Sequence, residues 1–234
     1  MMSGLEAVAG NVWLLRGGVP RVMNVYFIVD DGRVTVFDCG IKAMTKQILQ
    51  TGETFGGIDR VVLSHAHVDH RGAAPHVHTP IYCHADDKAD AEGDGGLHYA
   101  DASKLEFPPA RFVLPRLLHQ WDGGPVQIAG TVAEGDDVAG FTVVHMPGHS
   151  PGQIALFRER DRLALTGDVF YTLNIQTSLK SGPRLPHHAF NWDTNLARES
   201  LLRLASMKPA AGWPGHANPV RGDVKTVLED AARE

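Results

Sequence analysis

Residues 64–72 read SHAHVDHRG and follow directly on the apolar run Val61-Val62-Leu63. A short β-branched run ending in a polar turn is how a buried strand delivers side chains to the edge of a sheet. His65, His67, Asp69 and His70 therefore crowd one tight loop. A divalent cation offsets such crowding, because neutral imidazole nitrogens and carboxylate oxygens are its ordinary ligands. The chain carries 13 histidines in 234 residues, so a lone His-x-His would mean little, whereas the whole string means more.

Three further candidate ligands stand downstream, each in a turn after a strand-like run. His149 lies in MPGHSPG after residues 141–145, Asp168 in LTGD after residues 163–165, and His216 in WPGH after Gly212-Trp213. The competing readings are unconnected surface histidines or an imidazole-rich chelating tract, and neither explains the repeated strand-then-turn setting.

In these motifs and their order the chain resembles the metallo-β-lactamase-fold metallohydrolase superfamily, and within it the glyoxalase II-like and lactonase-like members. The resemblance runs from about residue 60 to 220 and, with the strand-rich start, takes in essentially the whole chain. It implies an α+β fold, a four-layer αββα sandwich with the metal site at one rim of two sheets. It assigns His65, His67 and His149 to a first metal, Asp69, His70 and His216 to a second, and Asp168 as the bridge. Asp38 matches a family aspartate that orients the ligand loop, as metal-bound imidazoles require. The family usually follows that aspartate with Thr or Ser and then Gly; here Cys39 stands between Asp38 and Gly40. Tyr171, three residues after Asp168, occupies the place where lactonases of the superfamily keep a tyrosine that donates to the substrate carbonyl. Asp69, Asp168 and Tyr171 are thus the expected catalytic residues; the bland alternative for Tyr171 is an aromatic packed beside Phe170.

Composition fits one domain spanning residues 1–234. Hydrophobic content of 43% and charged content of 21% are ordinary for a globular protein, and 25 glycines with 14 prolines suit many tight turns. Two cysteines give no disulfide framework, and the start MMSGLEAVAG lacks a basic region followed by an apolar stretch. A cytoplasmic location is expected. Strands are expected at residues 12–15, 24–29, 34–37, 61–63 and 81–83, with a helix over 41–51. The second half repeats the pattern. It has strands at 127–128, 131–132, 141–145, 153–157 and 163–166, a helix over 194–206, and a last helix from about Asp223. Residues 85–116 read as a short helix and a long covering loop.

Two divalent ions roughly 3.5–4 Å apart can share one hydroxide, with the pKa of bound water brought to about 7. With carboxylates Asp69 and Asp168, such a centre stays positive by about one unit and favours an oxygen that becomes negative during attack. The expected function is therefore a metal-dependent hydrolase, in which a metal-bridging hydroxide cleaves an ester, thioester or lactone of a small molecule. Five histidines and two carboxylates suit zinc first, with iron and manganese compatible. The alternative is a mononuclear-iron persulfide dioxygenase, which shares the first motif. A β-lactamase fits less well, because those enzymes lack the bridging aspartate and are exported. A nuclease or phosphodiesterase fits poorly with a formal charge of −5 and no dense Lys/Arg cluster. No nucleic-acid or membrane partner is expected. Glyoxalase II proteins carry a long helical C-terminal region, and only 18 residues follow His216, which weighs against a glutathione thioester. Eight histidines lie outside the motifs and are read as loop or surface residues. The 172–192 segment, ending at Trp192, is either a plain loop or a substrate-facing lid.

Overall fold

The computed structural model describes residues 4–233. Among them a first sheet holds seven strands in chain order: β1 (Leu5–Ala9), β2 (Val12–Gly17), β3 (Met23–Asp30), β4 (Arg33–Phe37), β5 (Arg60–Val62), β6 (Ile81–His84) and β7 (Ile128–Val132). The first four are antiparallel, and β4 through β7 are parallel. A second sheet contains β8 (Asp137–Val138), β9 (Phe141–His145), β10 (Ile154–Arg158) and β11 (Leu163–Gly167). A separate hairpin follows, β12 (Tyr171–Asn174) with β13 (Leu179–Arg184). Strands β14 (Ala211–Pro214) and β15 (Val220–Arg221) complete the second sheet.

Alternation of side chains explains why both sheets are buried on both faces. In β3, Tyr26 and Ile28 point between the sheets while Val25 and Phe27 point to the outer layer. In β10, Ile154 and Leu156 point inward, and Ala155 and Phe157 outward. The inner layer is closed by Phe141, Leu163, Leu165 and Trp213. Outside the first sheet pack Ile48 of α1 (Thr45–Glu53) and Ala73, Ala74 and Val77, just beyond α2 (Val68–Arg71). After the short α3 (Lys88–Ala91) and the longer α4 (Pro108–Trp121), the second sheet is covered by α5 (Thr194–Ser206) and α6 (Val224–Ala231). Leu201 and Leu204 of α5 are fully buried. Each such burial is worth roughly 1.5–3 kcal/mol, against at most about 0.7 kcal/mol per residue from helix propensity, so packing holds this helix in place. Its start is set by Asp193, whose carboxylate accepts from the backbone N–H groups of Asn195 and Leu196. The four-layer αββα arrangement expected from the sequence is the one observed.

Two readings of local structure need correction. Residues 127–132 are not two strands of the second half; β7 is one strand at the edge of the first sheet, parallel to β6. One extra residue, Ala129, interrupts the register between Ile128 and Gly130, so Ile128 faces the outer layer and Val132 the inner one. That bulge breaks the period of two on which the expectation rested. The 85–116 stretch is more helical than expected, for α4 begins at Pro108 and runs past Pro115 to Trp121. The expected helix over 41–51 opens as a 3₁₀ turn at Lys42–Met44 and becomes α-helical at Thr45. No helix among the described residues is long and apolar enough to cross a membrane.

Candidate metal centre

Strand pairing places the four motif loops at one rim. Strands β4 and β5 run side by side, so Asp38 and the His65 loop leave the sheet at the same end. In the second sheet β11 and β14 are parallel, which brings Asp168 and His216 out together. The backbone is fitted closely there. A Cβ on Gly215 would lie 2.4 Å from Cε1 of His70 and 2.5 Å from Oδ1 of Asp168. Gly167, at φ +49°, would likewise set a Cβ 2.4 Å from the Ser64 hydroxyl. Glycine immediately before Asp168 and before His216 is thus a steric requirement of the site.

All seven predicted ligands converge. His65, His67 and His149 offer nitrogens within 4.8 Å of one another, and so do the ligand atoms of Asp69, His70 and His216. Asp168 lies between the two sets. Its Oδ2 is 3.2 Å from Nε2 of His216 and 3.7 Å from Nε2 of His149, and its Oδ1 is 3.5 Å from Nε2 of His70. Nε2 of His216 is also 3.3 Å from Oδ2 of Asp69 and 3.2 Å from Nε2 of His70.

An outer partner fixes which nitrogen faces inward in four of the five rings; Nδ1 of His216 is buried with none among the described residues. Asp38, at φ +64° just past β4, accepts from the Ser64 backbone N–H (2.7 Å), the Ser64 hydroxyl (2.8 Å) and Nδ1 of His70 (2.9 Å). Because the Ser64 proton goes to Asp38, Nδ1–H of His65 donates to the Ser64 oxygen (2.9 Å), leaving the Nε2 lone pair free. Nδ1–H of His149 donates to Oδ1 of Asn191 (2.9 Å), whose amide donates in turn to Pro186 O and Thr194 Oγ1. Nε2 of His67 meets the Tyr99 hydroxyl at 2.8 Å, which leaves its Nδ1 for the interior. Such orienting partners are what ligating imidazoles need. Cys39 takes no part in this shell; it is buried in the outer core layer, and its N–H donates to His70 O at 2.6 Å.

A test of fit follows from the unpaired atoms. Nε2 of His65 and Oδ1 of Asp168 are buried without a hydrogen-bond partner among the described residues. Such orphans are rare in native interiors and carry a desolvation cost. A divalent cation satisfies nitrogen and carboxylate donors together, so these residues fit one. Burial holds His65, His67 and His149 below the usual imidazole range, in the neutral form that ligates metal. Burial also opposes charge on His216, but the Asp168 and Asp69 carboxylates carry it up to about 9. His70 is raised the same way by Asp168 and Asp38. A proton and a metal ion compete for this acidic side of the site.

Three residues that complete the site carry no motif. Besides Tyr99 and Asn191 there is Asp87, fully buried just past β6. Its Oδ2 accepts from the Ala66 backbone N–H (2.8 Å) and the Ser150 hydroxyl (2.7 Å), and its Oδ1 accepts from the Gly152 N–H. One carboxylate therefore ties the 64–70 loop to the 147–152 loop. Burial pushes its pKa up to about 6 against these hydrogen bonds, so it is ionised at neutral pH and accepts from all three donors. The available sequence signal was an acidic residue past the C-terminal end of a parallel strand, the rim that carries the ligands. Asp87→Asn turns an NH₂ group toward at least one buried donor, at a cost of about 1–3 kcal/mol. The expected result is a melting temperature lower by roughly 2–10 °C in a calorimetric scan.

The candidate ligands open onto a cavity of about 50 Å³ with mostly apolar walls: Leu97, Leu114, Leu118, Trp121, Ile175 and Phe190. Tyr171 also lines it, with its ring 6.0 Å from that of His216. Its hydroxyl accepts from the His187 backbone N–H at 2.7 Å, so its own proton is not used by that contact. Of the 172–192 segment, Ile175 and Phe190 reach the cavity wall, whereas Trp192 does not line it and is half exposed. None of the eight histidines outside the motifs lines this cavity.

A family model described as the metallo-beta-lactamase superfamily matches residues 18–216. The chain belongs to that superfamily. Among curated superfamily relatives, the probable metallo-hydrolase YflN of Bacillus subtilis (strain 168) is 28% identical, over 94% of this chain and 88% of its own. The acyl-coenzyme A thioesterase MBLAC2 of Gallus gallus is 26% identical over 69% of this chain and 57% of its own. The solved structure of TTHA1623 in a di-iron-bound form superposes with a TM-score of 0.65 at 25% identity, covering 89% of this chain and 93% of that one. Membership supports a metallohydrolase that takes divalent metal at the His/Asp clusters.

Proposed function

We propose that this protein is a binuclear metallohydrolase that cleaves a thioester, ester or lactone of a small molecule. The observation that carries this reading is the buried Asp168 carboxylate, within 3.2–3.7 Å of imidazoles from both ligand sets. When bound, a pair of divalent ions supplies a water nucleophile of lowered pKa and polarises a carbonyl oxygen. His65, His67 and His149 would hold one ion, Asp69, His70 and His216 the other, and Asp168 both. Asn191, Tyr99 and Asp38 keep the rings in the ligating tautomer. Tyr171 donates a hydrogen bond from its free O–H to the substrate carbonyl, and burial raises its pKa, so the hydroxyl stays protonated. The apolar wall takes the acyl part and excludes water from it.

Two relatives support parts of the reading. The thioesterase name of MBLAC2 favours a thioester among the three bonds, and the di-iron form of TTHA1623 makes iron a candidate beside zinc and manganese. The test is elemental analysis of protein purified without chelator, alongside a hydrolysis screen over acyl thioesters, lactones, nitrocefin and phosphodiesters. About two ions per chain and activity on the first two classes are expected. A single ion bound without Asp168 and His216 would return the reading to a mononuclear iron dioxygenase.

A further inference from the structure

Tyr171 and Ile175 also line a second concavity, of about 320 Å³, next to the metal cavity. Arg184 and Arg198 stand in its wall. Arg184 ends β13 and pairs across the hairpin with Tyr171; its Nε is buried with no hydrogen-bond partner among the described residues. Elsewhere Arg16, Arg71, Arg158, Arg162, Arg203 and Arg233 each hold a carboxylate, whereas others, Arg116 and Arg221 among them, hold none. Arg184 and Arg198 form no ion pair with any described residue, although they share one concave wall.

Glu106 lies in the same wall but is already engaged. It accepts from Nε2 of His187 (3.0 Å) and from the Gln176 amide (2.6 Å). A cation bound by Glu106, His187 and His188 is disfavoured, because Nδ1 of His187 also accepts from the Ala189 N–H at 3.1 Å. Both ring nitrogens are then occupied. What the wall leaves unmet is positive charge, and guanidinium groups match phosphate and carboxylate oxygens in a fixed fork geometry. Size points the same way. About 50 Å³ beside the His/Asp cluster admits only the reacting end of a substrate, and the adjoining concavity of about 320 Å³ has room for more of it.

We infer that this second pocket binds an anionic group, a phosphate or a carboxylate, on the non-reacting part of the substrate, with Arg184 and Arg198 as its binding residues. The inference rests on the hydrolase reading for the identity of the substrate, and on the pocket alone for the anion.

Thioesters of one acyl group on three thiols test it with the metal-loaded enzyme: neutral pantetheine, 4′-phosphopantetheine and 3-mercaptopropionate. The phosphate-bearing or the carboxylate-bearing substrate is expected to exceed the neutral one by about tenfold or more in kcat/KM, on the scale of one charged hydrogen bond. Whichever does so identifies the source of the anion. In Arg184→Gln and Arg198→Gln the preference should fall toward one, and in Arg184→Lys part of it should return. No preference in the unmodified protein would overturn the inference. So would an equal loss on charged and neutral substrates. Calorimetric binding of n-propyl phosphate, which has no acyl bond and no thiol, separates the two readings. If no thioester is cleaved but propyl phosphate binds about tenfold more weakly to Arg184→Gln, the thioester reading fails and the anion pocket stands. If the arginines make no difference to that binding, the pocket assignment fails whatever the enzyme hydrolyses.

Discussion

Asp168→Ala is expected to lower hydrolysis by roughly two orders of magnitude or more, on the scale of losing a positioned electrostatic group. The reason lies in charge crowded into a small buried volume. Burial alone would raise the pKa of Asp168, but the neighbouring His216 and His70 hold it well below the usual carboxylate range. It is therefore an anion wherever the protein is folded near neutral pH. Alanine removes that anion from beside Nε2 of His70 (3.5 Å) and Nε2 of His216 (3.2 Å), which themselves stand 3.2 Å apart. Two cations sharing the site would then repel without the intervening carboxylate, so one metal equivalent should be lost with the rate. Elemental analysis and kcat on the best substrate from the screen measure both. A purified variant that kept two ions and a near-normal rate would show that Asp168 bridges nothing.

The candidate ligands, which the fold brings together, were legible in the sequence because each stands in a local pattern: a β-branched run, a tight turn, and a His or Asp after it. The residues that orient those ligands were not legible, for a physical reason. Tyr99 reaches His67 across 32 positions, Asn191 reaches His149 across 42, and Asp87 reaches Ser150 across 63. No spacing rule connects them; only the fold brings them together. The same holds for the apolar wall. In α4, Leu114 and Leu118 face the metal cavity, but Phe112 and Val113 on the same helix are half or more exposed. That pattern, with Pro115 inside it, hides the amphipathic signal by which helices are read. By contrast α5, capped by Asp193 and with a regular apolar stripe, was read at its true bounds. Local patterns reported the loops and the regular layers. Long-range pairing set the rest, and that includes the apolar walls of the cavity.

Tyr171→Phe is expected to lower kcat and kcat/KM together by about ten- to a hundredfold while metal content stays the same. Phenylalanine keeps the ring and nearly the same volume, so the packing of residue 171 against the His216 ring should persist. The hydroxyl has two separable roles. As an acceptor it holds the His187 backbone N–H at 2.7 Å, and losing that contact costs about 1–3 kcal/mol of stability. In the proposed mechanism its O–H also donates a hydrogen bond to the substrate oxygen, an interaction that strengthens as negative charge develops during attack. A purely structural tyrosine thus predicts a lower melting temperature with an unchanged rate below the melt. A catalytic one predicts a fallen rate at temperatures where the variant is fully folded. Lactones and thioesters should be assayed side by side, because the hydrogen bond matters most for the substrate whose carbonyl oxygen Tyr171 reaches. A loss confined to lactones would favour a lactonase. A rate unchanged on every substrate would take the tyrosine out of the mechanism and leave the thioester reading to stand on the metal centre and its apolar wall.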